Sequence, residues 1–411
     1  MIISAIFFAD DLIIIGKNKK SLEKLLQLTR KYLSKHRLEI STKKSKVMTL
    51  DHDNETITFQ GSDDNSPIEL ETVFSFKYLG FPLNNSPRAL FRDFNEHVKT
   101  KAKRYLTSVF ALTRSGPDRS KLAYTLWTSC ALPSILYGVE VMPLTAATLD
   151  MLEKCNNSVG KFILQIPQSS SNFSVHLDAG LKPIWAIVAE KVLLYANSVA
   201  CKSSSNWAKI AFNYNLSQGN SSAYTRYLIK CMEETKMSIH SPALIRKGVK
   251  KAAILSISKM QQHTALSTFA MKPYSKIEQW FTPKSWVSDS CISKVFAEFR
   301  SSNIGIGNRK PAGDGNFYKL CPLCKKQGIV APNNEVHLVV ECPSMEIYRN
   351  NCSIGPFLKG FKSLNPQISP LKLYSLILCD ERPDEIRAKA IGLYSMKLGW
   401  HSLMKIPLPI F

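Results

Sequence analysis

The sequence predicts an α+β protein: short β-hairpins and one helix at the N-terminal end, a long and mainly helical remainder, and a small metal-binding knuckle near the C-terminal end. Three observations carry this. Short β-branched and aromatic runs broken by turn residues fill the first 83 residues. Apolar residues recur at helical spacing from Leu90 onward. Cys321, Cys324, His337 and Cys342 stand at the spacing of a four-ligand zinc site. The segments divide as 1–83, 84–150, 151–310, 311–352 and 353–411.

The first element is a hairpin. Ile2 to Phe8 is apolar, Ala9-Asp10-Asp11 breaks the run, and Leu12 to Ile15 resumes it before Gly16. Adjacent carboxylates at an apolar turn repel each other, and a hard divalent cation with oxygen ligands would offset that charge. Asp is also a common turn residue without any metal. Ser21 is the expected N-cap of the helix that follows, whose face is Leu22, Leu25, Leu26, Thr29, Tyr32 and Leu33. A strand-like stretch begins at Leu38-Glu39-Ile40 and runs through Lys43, Lys44 and Lys46 to Val47-Met48. Residues 50–66 read as a loop around a short strand at Ile57-Thr58-Phe59, and Ile68 to Leu83 as strands around a turn at Gly80 and Pro82.

From Leu90 the pattern is helical. Phe91, Phe94, Val98, Ala102, Tyr105 and Val109 trace one face, while Arg92, Lys99, Lys101, Lys103 and Arg104 spread over the others. Ser/Asn-rich loops lie at 169–172 and 203–222, and several helices at 224–300. Arg246, Lys247, Lys250 and Lys251 form a basic cluster that reads first as a solvated face.

The order Phe8-Ala9-Asp10-Asp11, an amphipathic helix, a Lys-rich segment and Phe76-Lys77-Tyr78-Leu79-Gly80 resembles reverse transcriptases of non-LTR retrotransposons. The resemblance implies a palm over 1–83 whose Asp10 and Asp11 hold catalytic Mg²⁺. It implies Lys44, followed by Ser45, as a contact near the incoming triphosphate, with Ser41 standing where Asn is usual. The Tyr78-Leu79-Gly80 hairpin would grip the primer end. Residues 84–150 would form a thumb, where Lys99, Lys101, Lys103 and Arg104 would neutralise phosphates. Leu132-Pro133-Ser134-Ile135-Leu136-Tyr137-Gly138-Val139-Glu140, Leu152-Glu153-Lys154-Cys155-Asn156-Asn157, Phe162-Ile163-Leu164 and Ala179-Gly180-Leu181 with Pro183 continue the match as architectural blocks. Family members carry a further metal-binding Asp and a nucleotide-selecting segment on earlier palm elements. The chain starts nine residues before Asp10, so this reading expects neither within it.

In the cysteine–histidine cluster, Cys-x-x-Cys forms a knuckle whose sulfurs converge on one tetrahedral ion, and His337 and Cys342 complete the shell. Four protein ligands leave no open position, so the expected role is structural. Glu335, His337-Leu338 and Cys342-Pro343 also match the family pattern. Lys319, Lys325 and Lys326 beside the site suit nucleic-acid contact. Arg382-Pro383-Asp384 copies three letters of a family nuclease site. No further acid follows Glu385, however, and Asp384 reads better as the cap of a helix to Met404 with Ile386, Ala390, Leu393 and Leu398 inward.

Lys and Arg number 54 against 32 Asp and Glu, a net charge of +22 that favours polyanions, with nucleic acid first and an anionic membrane surface second. No apolar run reaches the ~20 residues of a spanning helix, and no basic, apolar leader opens the chain. Ten Cys without a secretory signal argue for reduced thiols, and so for an intracellular protein of nucleus or cytoplasm. The expected function is a fragment of an RNA-directed DNA polymerase, with RNA template and DNA primer as partners and Mg²⁺ and Zn²⁺ as metals, inactive in isolation. The alternative is a non-catalytic, nucleic-acid-binding zinc protein of retrotransposon origin.

Overall fold

The computed structural model describes residues 5–49, 57–60, 67–114, 119–239, 241–262, 290–300, 320–378 and 383–404. Among the described residues the architecture is helix-rich with three two-stranded antiparallel sheets, an α+β arrangement. It divides into two compact units, residues 1–100 with 142–144, and residues 101–141 with 145–411.

In the first unit, β1 (Ala5–Phe8) and β2 (Asp11–Ile14) pair with Phe8 opposite Asp11, leaving Ala9 and Asp10 as a two-residue turn. Ala9 takes a left-handed backbone at φ +53°, a position where glycine is cheapest and alanine costs about 1 kcal/mol. Helix α1 (Lys19–Lys35) packs beside this hairpin. A Cβ on Gly16 would sit 2.8 Å from Leu22, so the chain between hairpin and helix needs glycine to come this close. The cap is one turn earlier than the sequence suggests. Asn18 Oδ1 accepts from Ser21 N at 2.9 Å, and Ser21 Oγ accepts from Asn18 N at 3.0 Å. Asn18 is therefore the N-cap and Ser21 the reciprocal partner, because the Asn carbonyl reaches the free N–H three residues on. Tyr32, expected on the buried face, is exposed and stacks on His36 at 4.7 Å.

The strand expected from Leu38 does not form. Arg37 turns left-handed at φ +57°, Lys44 N and Ser45 N donate to Ser41 O, and only Val47 bridges in parallel to Thr72. Three lysines in four positions leave too little apolar alternation to sustain a ladder. Val47 nevertheless anchors the segment. Leu26, Val47 and Leu70 are buried together, with Ile14, Leu22 and Ile40 packed around them. Each such burial contributes about 2 kcal/mol. This small core ties the carboxylate hairpin, α1 and the Lys44 loop into one body.

Strands β3 (Ile57–Gln60) and β4 (Pro67–Leu70) pair, as do β5 (Ser75–Tyr78) and β6 (Phe81–Asn84). The β5–β6 turn is Leu79-Gly80 with φ of +48° and +81°, the primed geometry that matches strand twist. Helix α2 (Pro87–Thr113) follows, with proline at its first position, where no amide N–H is needed. Phe81 meets Phe94 at 5.2 Å between ring centroids, and Asn84 Nδ2 donates to Asp93 Oδ2 at 2.8 Å. Phe94, Val98, Ala102 and Val109 are buried along α2, and Phe91 and Tyr105 are half-buried, as the spacing predicts.

The second unit continues through α3 (Arg119–Thr125), a π-helical turn at Leu126–Ala131, α4 (Leu132–Ile135), α5 (Ala146–Leu164), α6 (Asn172–Leu177) and α7 (Ile184–Ala200). The architectural blocks converge on one buried polar network. Trp127 Nε1 donates to Asn156 Oδ1 at 2.9 Å, and Asn156 Nδ2 donates to Lys182 O at 3.0 Å. Glu153 Oε2 accepts from Ile184 N at 2.7 Å, at the start of α7, and Glu153 Oε1 lies 3.6 Å from His176 Nε2. His176 Nδ1 bonds to Leu181 O at 2.8 Å. Gly160 brings α5 against α6, because a Cβ there would overlap Val175 at 2.3 Å.

Where the Ser/Asn content suggests a loop over 203–222, α8 (Trp207–Ser217) forms, capped by Asn206, and α9 (Ala223–Thr235), α10 (Pro242–Gln262) and α11 (Ser290–Arg300) follow. Helix α10 buries Ile245, Val249, Ala253 and Ile257 and exposes Arg246, Lys247, Lys250 and Lys251. Last are α12 (Pro322–Lys325), α13 (Glu346–Asn350), α14 (Ile354–Leu364), α15 (Pro370–Leu378) and α16 (Pro383–Met404). On α16 the inward residues are Ala390, Leu393, Met396 and Trp400, whereas Leu398 is only half-buried. No helix among the described residues is long and apolar enough to cross a membrane.

Candidate metal centre and carboxylate turn

Among the described residues two candidate sites stand out, and each lies within one unit. The first is the cysteine–histidine cluster. Leu320 bridges Pro332, and Cys321 N donates to Ala331 O at 2.8 Å, which closes a loop over the Cys-x-x-Cys segment. Cys324 O accepts from Gln327 N at 2.9 Å and from Ile329 N at 3.0 Å, with Gly328 at φ +72° completing the tight knuckle. On the other side His337–Glu341 is one π-helical turn, and His337 N donates to Asn334 Oδ1 at 2.8 Å. These two turns bring Cys321, Cys324, His337 and Cys342 together, all buried, with every ligand atom within 4.8 Å of the others.

The separations fit a tetrahedral ion. Bonds of about 2.3 Å to sulfur place two sulfurs about 3.8 Å apart. The Sγ atoms of Cys324 and Cys342 are 3.7 Å apart, and those of Cys321 and Cys342 are 4.0 Å apart. His337 Nε2 lies 3.2 Å from Cys324 Sγ. His337 thus turns Nε2 inward and Nδ1 toward Glu341, whose Oε2 is 3.8 Å away. A carboxylate behind a ligating imidazole fixes the ring and raises its basicity. Burial pushes the Cys324 thiol up to about 12, assisted by its neighbouring thiols, and pushes Cys342 up and His337 down. A dication would reverse that penalty by taking thiolate charge. Cys130, Cys155, Cys201, Cys231 and Cys352 stand apart from the cluster, and they and its three cysteines are free of disulfides.

The sequence misses two residues here. Glu341 follows His337 by one helical turn, a spacing that could have flagged it. Arg349 could not be flagged. It is buried, donating from Nη2 to Cys342 O at 2.6 Å and from Nη1 to Leu338 O at 3.2 Å. Burial also lowers its guanidinium from the ordinary value. Lys325 and Lys326 are exposed beside the knuckle, and Lys319 lies outside the described residues.

The knuckle does not stand alone. Leu323, Leu338, Val339 and Val340 share one core with Val295, Phe296 and Phe299 of α11 and with α14, α15 and α16. Of the Arg382-Pro383-Asp384 triplet, Arg382 and the Asp384 side chain lie outside the described residues. Residues Pro383 onward are α16.

The second site is the β1–β2 turn. Asp10 occupies the turn and Asp11 opens β2, both exposed, beside the exposed rings of Phe7 and Phe8. The oxygen donors suit Mg²⁺. Their number does not suit two ions, since no third carboxylate joins them among the described residues. Lys44 is exposed in the loop anchored by Val47.

On α2 the four basic residues separate. Lys99 pairs with Glu96 at 2.7 Å, and Lys101 Nζ donates to Ser134 O at 3.2 Å. Lys103 and Arg104 are exposed. The packing therefore engages half of the candidate phosphate contacts within the chain itself.

No curated protein and no solved structure matches the chain. Residues 2–83 match the family model described as reverse transcriptase (RNA-dependent DNA polymerase), which takes in Asp10, Asp11, Lys44 and both hairpins that flank α1 and the Lys44 loop. That match spans 82 of the 411 residues, and it supports reading this part of the chain as a reverse transcriptase segment.

Proposed function

We propose that the chain is a portion of an RNA-directed DNA polymerase of the non-LTR retrotransposon type. The observation that carries this is the family match over 2–83, which includes two adjacent carboxylates displayed at a hairpin turn. In the parent reaction a primer 3′-hydroxyl attacks the α-phosphate of a deoxynucleoside triphosphate paired to an RNA template, the α–β phosphoanhydride bond breaks, and pyrophosphate leaves. Asp10 is the principal candidate ligand for Mg²⁺, Asp11 its helper, and Lys44 the candidate contact for the triphosphate. Bound divalent ions would neutralise charge on the reacting phosphate. The Cys₃His cluster is a structural zinc site, and Lys103 and Arg104 are the α2 cations best exposed for duplex phosphates.

A polypeptide of these 411 residues is expected to bind primer–template without extending it. Two exposed carboxylates on one hairpin cannot surround two ions held ~3.5–4 Å apart. Primer extension on an RNA template, with Asp10→Ala as control, checks this. Extension that Asp10→Ala abolishes would show an active site complete within the chain.

A second reading, a non-catalytic nucleic-acid-binding zinc protein, is favoured by the contrast between a complete, buried zinc set and an exposed carboxylate pair. Both readings require polyanion binding. Titration with a labelled RNA–DNA duplex should give an affinity that falls steeply with salt, given the net charge of +22. Lys103→Glu with Arg104→Glu should weaken binding on all sequences alike and lower the salt slope by about two. An affinity indifferent to salt would refute both.

A further inference from the structure

We propose that Arg349 is the positioning residue and buried counter-charge of the Cys321, Cys324, His337, Cys342 zinc site. The inference rests on the reading that this cluster holds zinc. Three thiolates, a neutral imidazole and a dication sum to a net charge of −1, and all four ligands are buried. Such a centre needs a cation nearby, because an uncompensated charge out of water is costly. Arg349 has the converse problem. It is 8% exposed, and among the described residues no carboxylate lies within ion-pair distance of its guanidinium. Its donors go to main-chain carbonyls instead, to Cys342 O at 2.6 Å, Leu338 O at 3.2 Å and Val339 O at 3.5 Å. One of these belongs to a ligand, and the other two lie in the turn that presents His337.

Glu346 and Glu341 act on the guanidinium through space after Cys342, and neither forms an ion pair with it among the described residues. Glu341 is directed to His337 Nδ1, and Glu346 is exposed at the start of α13. Two glycines fix where α13 holds Arg349. A Cβ on Gly355 would come within 2.6 Å of Arg349 O, and one on Gly399 of α16 within 2.4 Å of the Tyr348 ring. The helix bearing Arg349 is thus seated closely against α14 and α16, and the guanidinium reaches the ligand turn from a fixed base. Charge balance and placement point to the same residue.

The test uses the full chain, wild type and the variants Arg349→Met and Arg349→Lys. Zinc affinity is measured by competition with a chromophoric chelator, and the thiolate-to-cobalt absorption is recorded after cobalt substitution. Wild type should hold one zinc. Arg349→Met should bind zinc about tenfold or more weakly and shift the cobalt band. Arg349→Lys keeps the charge but not the forked donors, and should lose less. Wild-type zinc affinity and an unmoved cobalt band in Arg349→Met, with thermal stability lowered equally with and without zinc, would make Arg349 a packing residue and overturn the proposal. Should the Met variant fail to fold, Arg349→Gln, which is neutral yet can still donate to the Cys342 carbonyl, decides, and an affinity and cobalt band equal to wild type there overturn the proposal. A wild-type chain that holds no zinc would instead remove the zinc reading itself.

Discussion

Stripping the metal with a chelator is expected to unfold more than the knuckle. One zinc per chain should be found by elemental analysis, and Cys324→Ser should reduce occupancy sharply. The four ligands sit on two turns that a bound ion would tie together, and structural zinc contributes about 10–16 kcal/mol of apparent binding free energy in small zinc modules. The sequence alone suggests that the loss would be confined to about 318–348. The packing says otherwise. Leu323, Leu338, Val339 and Val340 are part of the core formed with Phe296, Phe299, Leu373, Tyr374, Ile377 and Leu393. When the knuckle opens, that core loses one wall. Hydrogen exchange before and after chelation should therefore show loss of protection in α11 and in α14 to α16 as well as at the knuckle. The helices α5 and α7 should keep their protection. Loss limited to residues 320–345 would show that the C-terminal helices hold their core without the metal.

Glu298→Ala is expected to destabilise the second unit by about 3–5 kcal/mol, among the largest single effects available outside the metal site. Glu298 on α11 and Lys397 on α16 form a hydrogen-bonded ion pair with both side chains less than a tenth exposed. Removing one partner strands the other charge in an apolar setting between the two helices. Replacing both, as in Glu298→Met with Lys397→Met, should restore most of the loss, because neither desolvation penalty then remains. Urea denaturation of the two single variants and the double variant gives the coupling directly. Single losses that simply add in the double variant would mean that the two charges do not act as a pair.

Both effects are only partly visible in the sequence. Cys321, Cys324, His337 and Cys342 are legible because two short spacings and one loop length describe how a chain folds back around one ion. The Asp10-Asp11 turn is legible because alternation stops and resumes around it. The buried face of α2 is legible because one period covers it. These features are local, set by neighbours a few residues apart. The Leu38 segment misled for the complementary reason. Its β-like residues lack a partner ladder, and Val47 is fixed by α1 and β4 through contacts the spacing does not encode.

Composition and local order by themselves determine the basic character of the chain, the first hairpin, the long helix α2 and the candidate metal-ligand set. Tertiary structure alone decides which cations are spent within the chain. Lys101 goes to Ser134 O, 33 positions on, while Lys103 and Arg104 stay exposed. It alone decides that Glu153 bonds the first amide of α7 31 positions later. It alone sets Lys397 against Glu298 across 99 residues and brings Arg349 to the carbonyl of Cys342. A buried charge must find its partner within a few ångströms, wherever in the chain that partner happens to be. Spacing carries that information within one turn or loop, and packing carries it everywhere else.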